Sequence, residues 1–221
     1  MARRSDVERV EVDGLAISYE RSGTGPPLVL LHGGVSDHRS WRRQIESLSA
    51  DWTVVAWDTP GCGRSSDPPA DFSLGDYADC VAGMAPATGL QRPHVGGPSF
   101  GGGLALEVFN RHRELPSSLI LAGAYAGWGG SLPADEVELP RVDVPTLLLY
   151  GDADVRSSLA VADELHAAIP TSQLVVLPDV GHVSNVEAPD AFDSALRHFL
   201  TKVDDHRPVD ATDPSRRADE P

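Results

Sequence analysis

Ser99 stands in the run Gly97-Pro98-Ser99-Phe100-Gly101, a serine with a glycine two residues to either side. A hydroxyl is a weak nucleophile; it attacks a carbonyl only when projected clear of the chain and given a base. Glycines at these offsets suit a strained strand-to-helix turn, where a Cβ on either side would clash. Glycine and serine are abundant here, so the five-residue pattern alone is weak, and its weight comes from the apolar strand before it and the helical pattern after it. Two other loops carry the complementary groups. After the apolar run ending at Tyr150 comes Gly151-Asp152-Ala153-Asp154, and after the run ending at Leu177 comes Pro178-Asp179-Val180-Gly181-His182. A histidine can take the serine proton near neutral pH, and a carboxylate can hold the imidazole in the required tautomer. On residue type alone either aspartate could serve. The chain order serine, acid, histidine differs from both common serine protease orders.

These loops need a scaffold that brings them to one edge. Val7 to Val12 and Leu15 to Arg21 flank Asp13-Gly14, a hairpin signal. Pro27 to Leu31 and Thr146 to Tyr150 are continuous apolar runs, as in strands buried on both faces. Further strands are predicted at Trp52 to Trp57, Pro93 to Gly97, Leu119 to Ala122 and Gln173 to Leu177. Helices are predicted over Arg39 to Leu48, Leu74 to Ala85 (Ser73 as N-cap, Pro86 just past the end), Gly103 to Asn110, Leu159 to Ile169 and Pro189 to Leu200. A hairpin followed by repeated strand–helix units predicts an α/β fold: a mostly parallel sheet with helices on both faces. Ligands then bind beyond the carboxyl ends of the strands, where all three loops begin.

Composition narrows the partners. The chain has 221 residues, 41% apolar and 23% charged, with a net charge of −15. That field repels phosphate backbones, so nucleic acid is not an expected partner. No long apolar run predicts membrane insertion. The Met-Ala-Arg-Arg start lacks the apolar stretch of a secretion signal. Cys62 and Cys80 form no disulfide framework or zinc spacing, and a reducing cytoplasmic setting is expected. No metal-ligand cluster and no phosphate-binding loop is present in the pattern, so no cofactor or metal is expected. Residues 1–200 read as one domain. Thr201 to Pro221, rich in acids and prolines, reads as a disordered tail.

Five segments together resemble the α/β-hydrolase superfamily over residues 7 to 200: Leu-His-Gly-Gly at 31–34, Asp-Thr-Pro-Gly-Cys-Gly-Arg-Ser at 58–65, Gly-Pro-Ser-Phe-Gly-Gly at 97–102, Gly-Asp-Ala-Asp at 151–154, and Gly-His at 181–182. The resemblance implies an α/β-hydrolase fold, Ser99 as nucleophile, His182 as base and Asp154 as the acid. Asp152 is then structural, capping the following helix. It also implies an oxyanion hole from the N–H groups of Phe100 and Gly34, with Val35 as the lesser alternative for the second donor. His32, Arg64 and Ser65 are expected to order loops. Pro98 departs from the family pattern, which has a larger or polar residue there, and it removes one backbone donor.

The larger departure lies between Ala122 and Thr146. Only Gly123 to Pro145 remains where many relatives insert a cap domain, so the cap is expected to be absent or vestigial. An open site follows, with Val35, Tyr125 and Trp128 as substrate-binding residues at its rim and an apolar face that leaves self-association open. The implied activity is hydrolysis of a small-molecule carboxylic ester through an acyl-enzyme. Carbon–carbon bond hydrolysis, acyl transfer and perhydrolysis with the same three residues, and a non-catalytic ligand-binding role, are the alternatives.

Overall fold

The structure, a computed structural model, describes residues 7–125 and 138–206. Its strands are β1 (Val7–Val12), β2 (Leu15–Ser22), β3 (Pro27–Leu30), β4 (Thr53–Trp57), β5 (His94–Pro98), β6 (Ser118–Ala122), β7 (Thr146–Gly151) and β8 (Ser172–Leu177). They form one sheet in the order β1-β2-β4-β3-β5-β6-β7-β8. β2 pairs antiparallel with both β1 and β4, and the remaining pairs are parallel. Asp13 and Gly14 close the hairpin with φ of 48° and 82°, the two left-handed residues that let a two-residue turn follow the strand twist. The helices are α1 (Arg42–Leu48), α2 (Leu74–Ala87), α3 (Phe100–Arg111), α4 (Leu159–Ala168), α5 (Ser184–Glu187) and α6 (Pro189–Asp205).

The central strands bury both faces, which is why they read as unbroken apolar runs. Val29, Leu31, Val55, Trp57, Leu119, Leu121 and Leu148 share a core with residues of α2, α3 and α4. Their alternate neighbours Leu28, Leu30, Val54, Ala56, Ile120, Leu147 and Leu149 pack with Ile45 and Leu48 of α1 and Phe192, Leu196 and Phe199 of α6. Each fully buried leucine contributes on the order of 2 kcal/mol by removal of apolar surface from water. The two layers hold the carboxyl ends of β3, β5, β7 and β8 along one edge.

Several element ends differ from the sequence reading, and three of them have a clear physical reason. α2 continues through Pro86 to Ala87, because a proline in the last turn removes only one helical hydrogen bond, while the Thr88 N–H and hydroxyl reach back to the Met84 and Ala85 carbonyls. α3 begins at Phe100, immediately after the serine, although three glycines occupy its first turn. Close packing against Leu31, Gly97 and Ala124, which a Cβ on Gly101 or Gly102 would strike, overrides their poor propensity. α6 runs to Asp205, so the boundary expected at Thr201 moves to the end of that helix. Val203 packs on the core there, and Asp204 accepts hydrogen bonds from Trp52 Nε1 (2.9 Å) and His94 Nε2 (3.1 Å). The rest of the expected tail, Trp128 and residues 126–137 of the connector lie outside the described residues. Among the described residues no helix is long and apolar enough to cross a membrane.

Candidate active site

The Gly-x-Ser-x-Gly segment forms the turn that its glycines require. Ser99 has φ 53° and ψ −117°, a conformation costly for any residue with a Cβ. Its N–H donates to the Ala122 carbonyl (2.9 Å), and its own carbonyl accepts from Gly102 and Gly103, so strand β5 passes into α3 without slack. Gly97 and Gly101 both lie against the Leu31 carbonyl, and a Cβ at either would collide with it. The Leu31 carbonyl, just past the end of β3, therefore dictates the glycines of the motif. Ser99 remains partly exposed at the edge of the sheet.

His182 follows β8 and Asp154 follows β7, and the structure brings them together. Imidazole Nδ1 lies 2.8 Å from Asp154 Oδ2. The other carboxylate oxygen, Oδ1, accepts the N–H groups of Arg156 (2.7 Å) and Ser157 (3.0 Å). Three donors thus hold a carboxylate that is almost wholly buried, which offsets its desolvation. A carboxylate only accepts, so Nδ1 carries the proton and Nε2 keeps its lone pair. Nε2 is buried and has no hydrogen-bond partner among the described residues. Asp152 plays a different part from the helix cap expected of it. Its Oδ1 accepts the N–H of Asp179 (2.7 Å), which braces the left-handed turn leading to His182.

The connection between these groups runs through the end of β6, which sequence reasoning missed. Ala122 bonds Ser99, and the next residue, Gly123, sits against the acid–imidazole pair. A Cβ at 123 would stand 3.2 Å from Asp154 Oδ2 and 3.3 Å from His182 Nδ1, and φ there is +50°. A lone glycine after a strand is the only signal the sequence offered. Tyr125 follows, with its ring stacked on the imidazole.

The loop after β3 runs beside the serine. A Cβ on Gly33 would come 3.9 Å from Ser99 Cβ and 3.5 Å from the Pro98 carbonyl. A Cβ on Gly34 would meet open space, and the Gly34 N–H has no acceptor among the described residues. Phe100 is the first residue of α3, so its N–H has no carbonyl within the helix to bond. Val35 is fully exposed at φ 56°, a strained setting for a β-branched residue. Behind this loop, His32 Nδ1 donates to the Gly33 carbonyl (2.7 Å) and Nε2 accepts the Thr59 N–H (3.1 Å). Burial lowers its pKa and keeps it neutral.

Buried Asp58 ties the neighbouring loops together. It accepts the His38 N–H and ring Nδ1 and the Arg64 N–H, while Ser65 donates to its carbonyl (2.6 Å) and accepts the Ser18 N–H (2.9 Å). Arg64 and Ser65 thus order this loop, as expected. Asp37, His38 and Asp58 also offer three ligand atoms within 4.8 Å of one another. Asp37 is already held by Arg39, which lowers its pKa to about 2, and Asp58 by three donors, so their chemistry is spent on the loops rather than free for a cation.

Comparison with known proteins agrees with this architecture. Residues 26–138, half of the chain, match the family model described as the alpha/beta hydrolase fold, and residues 126–212 match one described as TAP-like protein. A dihydrolipoyllysine-residue acetyltransferase component of an acetoin cleaving system from Cupriavidus necator is 39% identical over 44% of this chain and 26% of its own length. The chain spans only about a quarter to a third of the first relatives it matches. A 2-hydroxymuconate semialdehyde hydrolase of a Pseudomonas species is 33% identical over 56% of this chain and 44% of its own. Among solved structures, a membrane phospholipase A described as a bacterial virulence factor superposes with a TM-score of 0.81 at 27% identity, covering 90% of this chain and 87% of that one. Family model, sheet order and elbow geometry concur: the chain belongs to the α/β-hydrolase family.

Proposed function

We propose that the chain is a serine hydrolase of carboxylic esters. The observation that carries this reading is the buried Asp154–His182 hydrogen bond with Nε2 unbonded, joined through Ala122 and Gly123 to the Ser99 elbow. Ser99 Oγ attacks the ester carbonyl carbon and passes its proton to His182 Nε2. Charge on the carbonyl oxygen is met by the N–H groups of Phe100, at the positive end of a 12-residue helix, and of Gly34. The tetrahedral species collapses, the C–O bond to the alcohol breaks, and Nε2 returns the proton to that oxygen. Water then attacks the acyl-enzyme by the same route, releasing the acid and restoring the serine. Asp154 holds the tautomer throughout and stabilises the imidazolium. No hydrogen bond joins Ser99 to Nε2 in the structure, and the mechanism requires one to form with substrate in place.

Val35, Val155 and Val183, three of the exposed large apolar side chains, each directly follow Gly34, Asp154 or His182. An apolar rim suits an acyl or alkyl group, with Val35 as its contact. Both cysteines are free thiols, in keeping with a reducing cytoplasmic setting. Carbon–carbon hydrolysis is the second reading, favoured by the likeness to the 2-hydroxymuconate semialdehyde hydrolase.

The test is labelling with a fluorophosphonate probe, followed by kcat/KM over p-nitrophenyl esters of rising chain length. The expected result is stoichiometric labelling that Ser99→Ala abolishes, with short esters turned over best. An unlabelled wild-type protein refutes the serine mechanism. Labelling without turnover of any ester, alongside cleavage of a vinylogous diketone, moves the function to carbon–carbon bonds.

A further inference from the structure

Gly123 and Ala124, after β6, are pinned to β7 and its loop, and Gly123 and Tyr125 lie beside the imidazole, in a way the proposed mechanism does not use. The Gly123 N–H donates to Leu149 (3.0 Å), and its carbonyl accepts from the buried hydroxyl of Ser157 (2.7 Å). The Ala124 carbonyl accepts from the Tyr150 hydroxyl. Burial raises the Tyr150 pKa, so that hydroxyl keeps its proton and remains a donor. Tyr150 belongs to β7 and Ser157 to the loop after it, the same strand and loop that supply Asp154. Tyr125, set down by this double anchor, lays its ring nearly parallel to the His182 imidazole, at 12° with centroids 6.3 Å apart. Such spacing is that of an offset aromatic pair.

A single hydrogen bond from Nδ1 to Asp154 leaves an imidazole free to pivot about that bond. A ring on one face removes this freedom. We propose that Tyr125 is a positioning residue for His182: its stacked ring, held by Tyr150 and Ser157, fixes the imidazole plane that presents Nε2 to the serine. This departs from the expectation that Tyr125 contacts substrate, and it rests on the serine hydrolase reading. The other groups around the ring act elsewhere: Asp154 bonds its Nδ1, and the Glu187 carboxylate is spent on the Gly181 and Val183 N–H groups.

The experiment compares Tyr125→Leu, Tyr125→Phe and Ser157→Ala with wild type in ester kinetics and in the low-field proton NMR signal of the His182 Nδ1–H. Removing the ring lowers kcat about tenfold, the upper strength of an aromatic pair, with KM within about twofold. Phenylalanine retains the stacking face and restores kcat. The low-field proton broadens in the leucine variant by faster exchange. Ser157→Ala lowers kcat in the same direction, and combining it with Tyr125→Leu adds little, because both act through one ring position. A raised KM at constant kcat makes Tyr125 a substrate contact and overturns the proposal. So does a leucine variant equal to wild type, or a phenylalanine variant as slow as leucine. If Tyr125→Leu does not fold, Ser157→Ala and the proton signal of Tyr125→Phe decide. If wild type shows no fluorophosphonate labelling, the hydrolase reading fails by itself; the Nδ1–H signal then still reports whether Tyr125 orders the imidazole.

Discussion

Replacing Asp154 by asparagine should reverse the imidazole tautomer, and the structure says why it has no way round. Oδ1 accepts two backbone N–H groups, from Arg156 and Ser157. An amide at this position keeps those bonds only with its carbonyl oxygen at the Oδ1 site. Its NH2 group then occupies the Oδ2 site, 2.8 Å from His182 Nδ1. A donor there forces Nδ1 to be the acceptor and moves the ring proton to Nε2, which can no longer take a proton from Ser99. Wrong-tautomer variants of other serine triads lose about 10⁴ in kcat, or roughly 5.4 kcal/mol at 1.36 kcal/mol per decade. Both backbone bonds survive, so stability should change little. Asp152→Asn is the control. Its side chain is exposed and accepts one N–H, from Asp179, which an amide oxygen accepts as well. That variant should stay within about threefold of wild type, since a neutral acceptor replaces a charged one at a solvated site. The assay is p-nitrophenyl acetate hydrolysis, with thermal melts to show that both variants are folded. Asp154→Asn within tenfold of wild type, or Asp152→Asn the slower of the two, refutes the assignment of the acid.

Gly123→Ala forces a Cβ into left-handed backbone at 3.2–3.3 Å from the acid–imidazole pair. The strain is about 1–2 kcal/mol, so Tm should fall by about 2–8 °C in a thermal melt. Displacement of His182 should lower kcat by up to about 10²; unchanged kinetics would mean the pair tolerates the shift. For His32, burial puts the folded pKa below the unfolded value of 6.5, so the unfolded chain binds more protons in acid. Stability should therefore be highest above about pH 6.5 and fall as pH drops toward 5, with a shallower fall in His32→Asn; parallel Tm–pH curves would discount the histidine. Val35→Gly relieves left-handed strain but loosens the unfolded chain, for a net gain of about 0.5–1 kcal/mol. Tm should rise by about 1–4 °C while KM for longer acyl chains increases. A lower Tm would show that Val35 is held by contacts other than its backbone.

Local chemistry carried most of the fold. Apolar runs such as Pro27 to Leu31 and Thr146 to Tyr150 are legible as buried strands because two-sided burial admits no polar alternation, and Asp13-Gly14 is legible as a hairpin because few residue pairs accept two left-handed conformations. The Gly-x-Ser-x-Gly turn was readable for a similar reason, since both glycines answer to one carbonyl, that of Leu31. Other features depend on contacts between segments far apart in the chain, which residue type does not encode. Asp152 and Asp154 are chemically identical and two residues apart; family resemblance favoured the second, but only the meeting of the β7 and β8 loops places one against His182 and the other against Asp179. α6 reaches Asp205 because Trp52 and His94 receive Asp204, a bond across more than a hundred residues that no local composition reveals. Gly123 had no pattern to announce it, and Tyr125 was expected at the rim as a substrate contact rather than beside the imidazole. Their role beside the imidazole is set by the Ser157 and Tyr150 hydroxyls, whose direction only the packed sheet determines.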